Sequence, residues 1–299
     1  MITVFGSINL DLVVAVPRLP RAGETVSGPD HQMFPGGKGA NQALAARRAG
    51  SAVTMISAVG QDAFADLALR NLRQADVDLS GIRSLPGTTG IALIGIDPAG
   101  ENQIIVASGT NARVDAEWLS EVLIPNGILL LQGEIPFTEN VTSMQMAKAE
   151  GSRVIWNPAP VPEGNLRDAL EATDVLVVNE SEAALIAASL GLAGEPEAFL
   201  AHFASDGHVA VVTQGSQGIV ADDGNGPVRI GAPKIEAVDT TGAGDAFCGA
   251  LASALDRNIP FPRALREGIA AGALACTVTG AQTSAPHHED IMRLADQIL

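Results

Sequence analysis

Apolar and polar positions alternate along this chain in two registers, one of period two and one of helical spacing, and the switches between them predict its elements. Ile2-Thr3-Val4-Phe5 predicts a buried strand that ends at Gly6-Ser7-Ile8-Asn9-Leu10-Asp11. Polar residues just past the carboxyl end of a central strand are where α/β sheets present groups to ligands. Asn9 and Asp11 alternate with Ile8 and Leu10, so both face one side, as two hydrogen-bonding groups for a polyol would. From residue 13 to 34 the pattern breaks into short β-prone pieces at Pro17, Pro20, Gly23, Gly28 and Pro29, which predicts antiparallel strands with one exposed face.

Gly36-Gly37-Lys38-Gly39-Ala40-Asn41 then opens a helix that runs to the stop signal Arg47-Arg48-Ala49-Gly50. A strand over 53–59, a helix over 64–72, and a hairpin of 90–96 with 103–107 follow. The β-rich insertions at about 11–36 and 88–108 are expected to join as a small sheet, a lid over the first site. Strands over 128–131, 154–156 and 175–178 alternate with helices near 139–149 and 166–172, which implies a parallel sheet covered on both faces. A strand over 209–212 turns into 219–221, and an Ala- and Gly-rich helix is expected from 264 to about 279. The fold class is therefore α/β: a doubly wound, mostly parallel central sheet flanked by helices, with a small β-sheet lid, as one domain over 1–299.

Composition narrows the partners. A formal charge of -16 over 299 residues argues against nucleic acid and anionic membrane, whose non-specific binding needs basic surface. Cys248 and Cys276 lie in Ala-rich helical stretches and read as buried small hydrophobes, with no metal-ligand or disulfide spacing. The chain enters a strand pattern directly, without a basic leader or a long apolar segment, so the expected location is the cytoplasm.

The richest stretch chemically is Asp239-Thr240-Thr241-Gly242-Ala243-Gly244-Asp245 ahead of Phe247, Leu251 and Leu255. It reads as a tight turn feeding a helix N-terminus, whose free N–H groups and dipole suit phosphate oxygens, with Asp245 in the mouth; a simple helix cap is the alternative. The Gly-Gly-Lys-Gly run is not a Walker A loop, because position 32 is Gln32 and Gly39 stands where a Ser or Thr must coordinate magnesium. What remains for it is close backbone approach to a ligand with Lys38 and Asn41 as anchors, or a solvated glycine loop. Strand ends carry Gln132-Gly133-Glu134, Asn157 and Asn179-x-x-Glu182; the last suits a magnesium and phosphate network or a helix cap. Thr213-Gln214-Gly215-Ser216-Gln217-Gly218 fits both a phosphate-binding turn and a hairpin. A Rossmann oxidoreductase is dropped because Phe247 stands where its third glycine belongs.

Gly-Ser-Ile-Asn-x-Asp, Gly-Gly-Lys-Gly-Ala-Asn-Gln-Ala, Asn-Pro-Ala-Pro, Asn-Glu-Ser-Glu-Ala and Val-Asp-Thr-Thr-Gly-Ala-Gly-Asp-Ala-Phe occur here in one order, with Gly280-Ala281-Gln282-x-Ser284 near the end. In this the chain resembles the PfkB carbohydrate kinases over essentially its full length. The resemblance implies ATP-dependent phosphorylation of a sugar, D-ribose at its 5-hydroxyl. It implies Asp245 as the base, the N–H groups of Gly242, Ala243 and Gly244 as an anion hole, and Asn9, Asp11, Gly37, Lys38, Asn41 and Glu134 around the sugar. Asn179, Thr213, Gly215, Ser216, Gln217, Gly218, Gly244 and Ile269 fall on the ATP side, and Glu182 organises Mg2+. Ile269 departs from the polar residue often found there, which implies looser or apolar base recognition. Asp239, Thr241, Ala275, Val278, Gly280 and Ser284 match a K+ loop, mostly through backbone carbonyls. Lid residues such as Val14, Val26, Ile94 and Ile105 imply a homodimer clasped through the lid. The alternatives are a PfkB-family kinase for another furanose or nucleoside, such as deoxyribose or an adenosine-like substrate, and a non-catalytic sugar-binding protein, against which the intact Gly-Ala-Gly-Asp counts.

Overall fold

Strand alternation divides the interior into two apolar layers. In the computed structural model, which describes residues 1–192, 194–205 and 208–299, Ile2 and Val4 of the first strand enter one layer and Phe5 enters the other. Leu130 parts in the same way from Leu129 and Leu131, and Val177 from Leu176 and Val178. A sheet wet on neither face needs apolar residues at every position, and these strands supply them.

In chain order the elements are β1 (Ile2–Phe5), β2 (Asn9–Ala15), β3 (His31–Gly36), α1 (Lys38–Arg48), β4 (Val53–Gly60), α2 (Phe64–Gln74), β5 (Ile82–Leu85), β6 (Gly90–Ile96) and β7 (Asn102–Ala107). There follow β8 (Ile128–Leu131), α3 (Phe137–Ala149), β9 (Arg153–Trp156), α4 (Arg167–Ala172), β10 (Val175–Asn179), α5 (Glu180–Leu190), α6 (Pro196–Ser205) and β11 (Val209–Thr213). The chain closes with β12 (Ile219–Asp222), β13 (Val228–Ile230), α7 (Ala243–Asp256), α8 (Phe261–Ala275) and α9 (His288–Ala295). The central sheet runs β13-β12-β11-β10-β9-β8-β1-β4-β5 and is parallel from β11 to β5, with β12 and β13 antiparallel at one edge. β1 lies between β8 and β4, and the polar ends of β1, β8, β9, β10 and β11 open on the same carboxyl edge, the usual ligand side of such a sheet.

A smaller sheet, ordered β3-β2-β6-β7, forms beside it. The expected antiparallel pairs, β2 with β3 and β6 with β7, are both present, and they join through a central pair, β2 with β6, that is parallel. The reason is connectivity: α1, β4, α2 and β5 intervene, and a long crossover returns the chain in the same direction. Asn9 and Asp11 belong to β2 itself rather than to a loop after β1, and alternation places them on one face. On the opposite face Met33, Leu12, Leu93 and Ile105 stand in register across the sheet, with Ile105 63% exposed.

The late helix differs from expectation. α8 begins at Phe261 and stops at Ala275 instead of continuing to 279, because the carbonyl of Cys276 accepts the N–H groups of Val238 (2.8 Å) and Asp239 (3.2 Å). Cys248 is buried as expected, whereas Cys276 is only partly so. Among the described residues no helix is long and apolar enough to cross a membrane.

Candidate active site

Small residues bring α1 and α7 unusually close. A Cβ at Gly249 would lie 2.6 Å from the Ala45 side chain and 2.7 Å from the Gln42 carbonyl oxygen, so the helix backbones nearly touch there. That approach delivers two amides of α1 to the carboxylate in the first turn of α7. Asn41 Nδ2 donates to Oδ2 of Asp245 and Gln42 Nε2 donates to Oδ1, each at 3.0 Å. Asp245 is 6% exposed, and burial of a carboxylate requires such partners. The remaining carbonyl oxygen of Asn41 has no partner among the described residues, which leaves an acceptor for a ligand hydroxyl.

Asp245 lines a cavity of about 250 Å³ together with Lys38, Asn179, Glu182, Thr213, Thr240, Gly242 and Gly244. Gly242 caps α7 with φ 77°, a left-handed turn that aims the helix N-terminus into this space. The expected triplet of N–H donors divides. Ala243 N–H donates to the Thr240 carbonyl at 3.2 Å, while those of Gly242 and Gly244 have no protein acceptor among the described residues. Two of the three expected donors are thus unengaged, since the tight turn spends the third on closing itself.

Charge in the site is concentrated and mixed. The Lys38 ammonium is held above its ordinary range chiefly by Asp245, with Glu134 and Glu182 adding to the effect against the pull of burial. Lys38, the first residue of α1, lines the same cavity as Asp245 and Glu182. Asp11 is pushed up to about 7, first by burial and then by the carboxylates of Glu134 and Asp245. Glu134 Oε2 accepts the Ser7 hydroxyl (2.5 Å) and the Lys38 N–H (2.9 Å), so one of its oxygens holds the start of α1. Gly37 is the N-cap of that helix, and its carbonyl accepts the Asn41 N–H at 2.9 Å. Asn9 is 3% exposed, and its Oδ1 accepts from Asn111 Nδ2 at 2.7 Å.

On the other side of the cavity Asn179 and Glu182 form a reciprocal capping box: Asn179 Oδ1 accepts the Glu182 N–H (2.8 Å) and Glu182 Oε2 accepts the Asn179 N–H (2.9 Å). Burial raises the Glu182 carboxyl, opposed by the Asn179 N–H and by Lys38. Gly215, Ser216 and Gln217 form an exposed turn between β11 and β12, and Gly218 N–H closes it onto the Gly215 carbonyl at 3.1 Å, so the expected hairpin is present. Ile269, 5% exposed, lies in the core cluster with Phe247 and Leu251, on a helix that packs against α7.

The loops expected to hold a cation do meet. Asp239 accepts the N–H groups of Thr241 (2.9 Å) and Gly280 (2.8 Å), and these bonds outweigh burial and hold its carboxyl below the ordinary range. Its side chain is spent on the backbone, which leaves carbonyls as the oxygen donors. Those of Ala275 and Gly280 already accept Val278 N–H (3.4 Å) and Ser284 N–H (3.0 Å), and a carbonyl's second lone pair leaves room for an ion. The Ser284 hydroxyl donates to the Ala281 carbonyl at 3.2 Å, and Val278 is exposed. No group of three His, Cys, Asp or Glu among the described residues could grip a metal by itself. The carboxylates of Glu182 and Asp245 beside Lys38 fit instead a divalent ion that arrives with phosphates.

Gln42, Gln132, Asn111 and Thr240 were given no role by sequence reasoning. Gln42 and Thr240 stand inside quoted motifs and Gln132 at a quoted strand end, which is the signal that was present; Asn111 follows the lid hairpin with no pattern around it.

A family model described as pfkB family carbohydrate kinase matches residues 1–288. The chain is 36% identical over 294 residues to a ribokinase of Lactococcus lactis, covering 97% of this chain and 95% of that relative. It is 31% identical over 301 residues to a deoxyribokinase of Salmonella typhimurium, covering 96% of each. Its fold matches a crystal structure of ribokinase from Thermotoga maritima with a TM-score of 0.90 at 33% identity over 99% of both chains. It also matches an Arabidopsis thaliana ribokinase complexed with ribose and ATP, with a TM-score of 0.87 at 30% identity over 98% of both.

Proposed function

The chain belongs to the pfkB family of carbohydrate kinases, and from that premise we propose that it transfers the γ-phosphoryl group of ATP to the 5-hydroxyl of D-ribose. The observation that carries this is Asp245: a buried carboxylate at a helix N-terminus, both oxygens held by amides, in a cavity with Lys38 and two unengaged N–H groups. Phosphoryl transfer asks mainly for positioning and for stabilisation of charge on the phosphoryl oxygens. Asp245 accepts the proton of the attacking hydroxyl, and the hydroxyl oxygen bonds to phosphorus as ADP leaves. Gly242 and Gly244 N–H with the Lys38 ammonium face the phosphoryl oxygens. Asn9, Asp11, Asn41 and the free oxygen of Glu134 bind the sugar, while Asn179, Thr213 and the 215–218 turn face the nucleotide. Glu182 would help hold the Mg2+ that accompanies ATP, and the ion would supply neutralisation of phosphate charge. The 239–241 and 275–284 loops would hold K+ through their backbone carbonyls, and the ion would fix the shape of the turn at Gly242 to Gly244.

The protein works as one kinase unit over 1–299, with segments 11–36 and 88–108 as its lid, in the cytoplasm, as a homodimer through that lid. The second reading, phosphorylation of 2-deoxyribose, has the deoxyribokinase relative in its favour. Asp11 decides between them: a half-buried carboxylate that pairs with two adjacent hydroxyls loses a partner when one is missing. A coupled ADP-release assay over pentoses, hexoses and nucleosides, with and without potassium, tests the reading. The expected result is preference for ribose over 2-deoxyribose by about 10²-fold in kcat/KM, on the order of 3 kcal/mol. Equal kcat/KM for the two sugars, or faster turnover of a nucleoside, defeats the assignment to ribose and leaves the kinase chemistry standing.

A further inference from the structure

Gln42 is wholly buried, and a glutamine in such a place is usually a poor choice beside an apolar residue of the same size, since its amide must find partners. Its partners are unusually well determined. Asn157 Nδ2 donates to the Val177 carbonyl at 2.8 Å, an acceptor that cannot be exchanged for a donor, so Asn157 Oδ1 must face Gln42. The other neighbour of the Gln42 amide nitrogen is the Asp245 carboxylate at 3.0 Å. Two acceptors on one side therefore fix which end of the Gln42 amide is nitrogen, a choice that must otherwise be assigned rather than observed. At the far end, Gln132 Nε2 donates to Gln42 Oε1 at 2.8 Å, and Gln132 and Asn157 stand directly after β8 and β9.

The donors point one way, from the sheet edge through Gln132 and Gln42 to Asp245. Asn41 holds the other carboxylate oxygen from the next position of the same helix. We propose that Gln42 is a positioning residue for the base: it fixes the plane and rotamer of Asp245 against the sheet and keeps one face of the carboxylate turned toward the sugar hydroxyl. Gln42 acts through Asp245, separated from the reacting atoms by its carboxylate. Gln132 and Asn157 determine its orientation and make it a rigid strut rather than a loose polar contact. The inference rests on the reading of Asp245 as the base.

Because the role is exercised only through Asp245, it is visible in the dependence of one substitution on the other. Gln42→Met in the full-length protein is expected to lower kcat by about 10- to 100-fold with KM for ribose and for ATP within about threefold. In an Asp245→Asn background the same change is expected to lower kcat by less than about threefold. An equal loss in both backgrounds, or none in the parent, overturns the proposal. If Gln42→Met does not fold, Gln42→Asn is read in its place, since it keeps an amide but is one carbon too short to reach Asp245. Near-parental turnover by Asp245→Asn itself strikes at the reading of the base instead, so the two failures are told apart.

Discussion

The carboxylate of Asp239 accepts the backbone N–H of Gly280 at 2.8 Å, and its second oxygen accepts the N–H of Thr241 at 2.9 Å, so one side chain ties two loops together just ahead of the turn at Gly242. Anything that stiffens this junction stiffens Gly242 and Gly244 as well. Potassium is therefore expected to raise kcat without altering ribose affinity, and Asp239→Ala is expected to weaken that activation by about tenfold or more in half-saturating potassium. Steady-state rates in potassium and in a large organic cation at matched ionic strength check this; equal rates refute it.

Asp245→Asn is expected to lower kcat by about 10²- to 10⁴-fold with little change in ribose affinity, because an amide keeps the shape but cannot take the proton. Binding by calorimetry beside turnover separates the two effects. An almost normal kcat removes Asp245 from proton transfer.

How far the sequence alone reaches is seen in these residues. Asp245 was legible because a turn, a helix start and a carboxylate are encoded within a few positions, and the same holds for the Asn179 and Glu182 capping box. Gln42 was not, because its role depends on Gln132 and Asn157 meeting it across the sheet. The parallel pairing of β2 with β6 was hidden for a like reason: strand direction is decided by the long crossover, whereas local pattern records only which residues face inward. The end of α8 was misjudged because small apolar residues continue past Ala275, while the stop comes from Val238 and Asp239 claiming the Cys276 carbonyl.

Gly249 tests whether helix spacing governs the site. Its added Cβ would meet Ala46 N and Gln42 O at 2.7 Å, backbone atoms that cannot swing away. Gly249→Ala is expected to destabilise the fold by about 1–3 kcal/mol and to lower kcat as well, by drawing Asn41 and Gln42 away from Asp245. Chemical denaturation and kinetics on the same sample check it, and a variant of parental stability and rate would show that α1 and α7 have slack.

The row Met33, Leu12, Leu93 and Ile105 faces away from Asp11 and is too apolar for a surface left to water. A homodimer through this face is expected, and Ile105→Glu is expected to give monomers. Sedimentation at micromolar concentration with ribose present distinguishes them. A monomeric parent rules the clasp out.

Asp11 gives the pH prediction its sign. Its ordinary value is 3.8 and the fold pushes it up to about 7, so between those limits the native state binds a proton that the unfolded chain does not. Stability of the free protein therefore falls as pH rises from about 4 to about 7, and Asp11→Asn, which has no charge to bury, is expected to gain in melting temperature over the parent across that window and to hold the gain above it. Ribose binding runs the other way. Two hydroxyls that donate one to each oxygen favour the ionised carboxylate, so sugar binding is expected to displace the proton and affinity to fall by up to about tenfold for each pH unit below 7. Calorimetry without nucleotide, in two buffers of different ionisation enthalpy at pH 6, should record close to one proton released per ribose bound, and none for Asp11→Asn. Ribose affinity that is flat from pH 5 to 8, with no proton released, would mean that Asp11 does not meet the sugar as a carboxylate, and the basis for discriminating against 2-deoxyribose would have to be sought in Asn9 and Asn41.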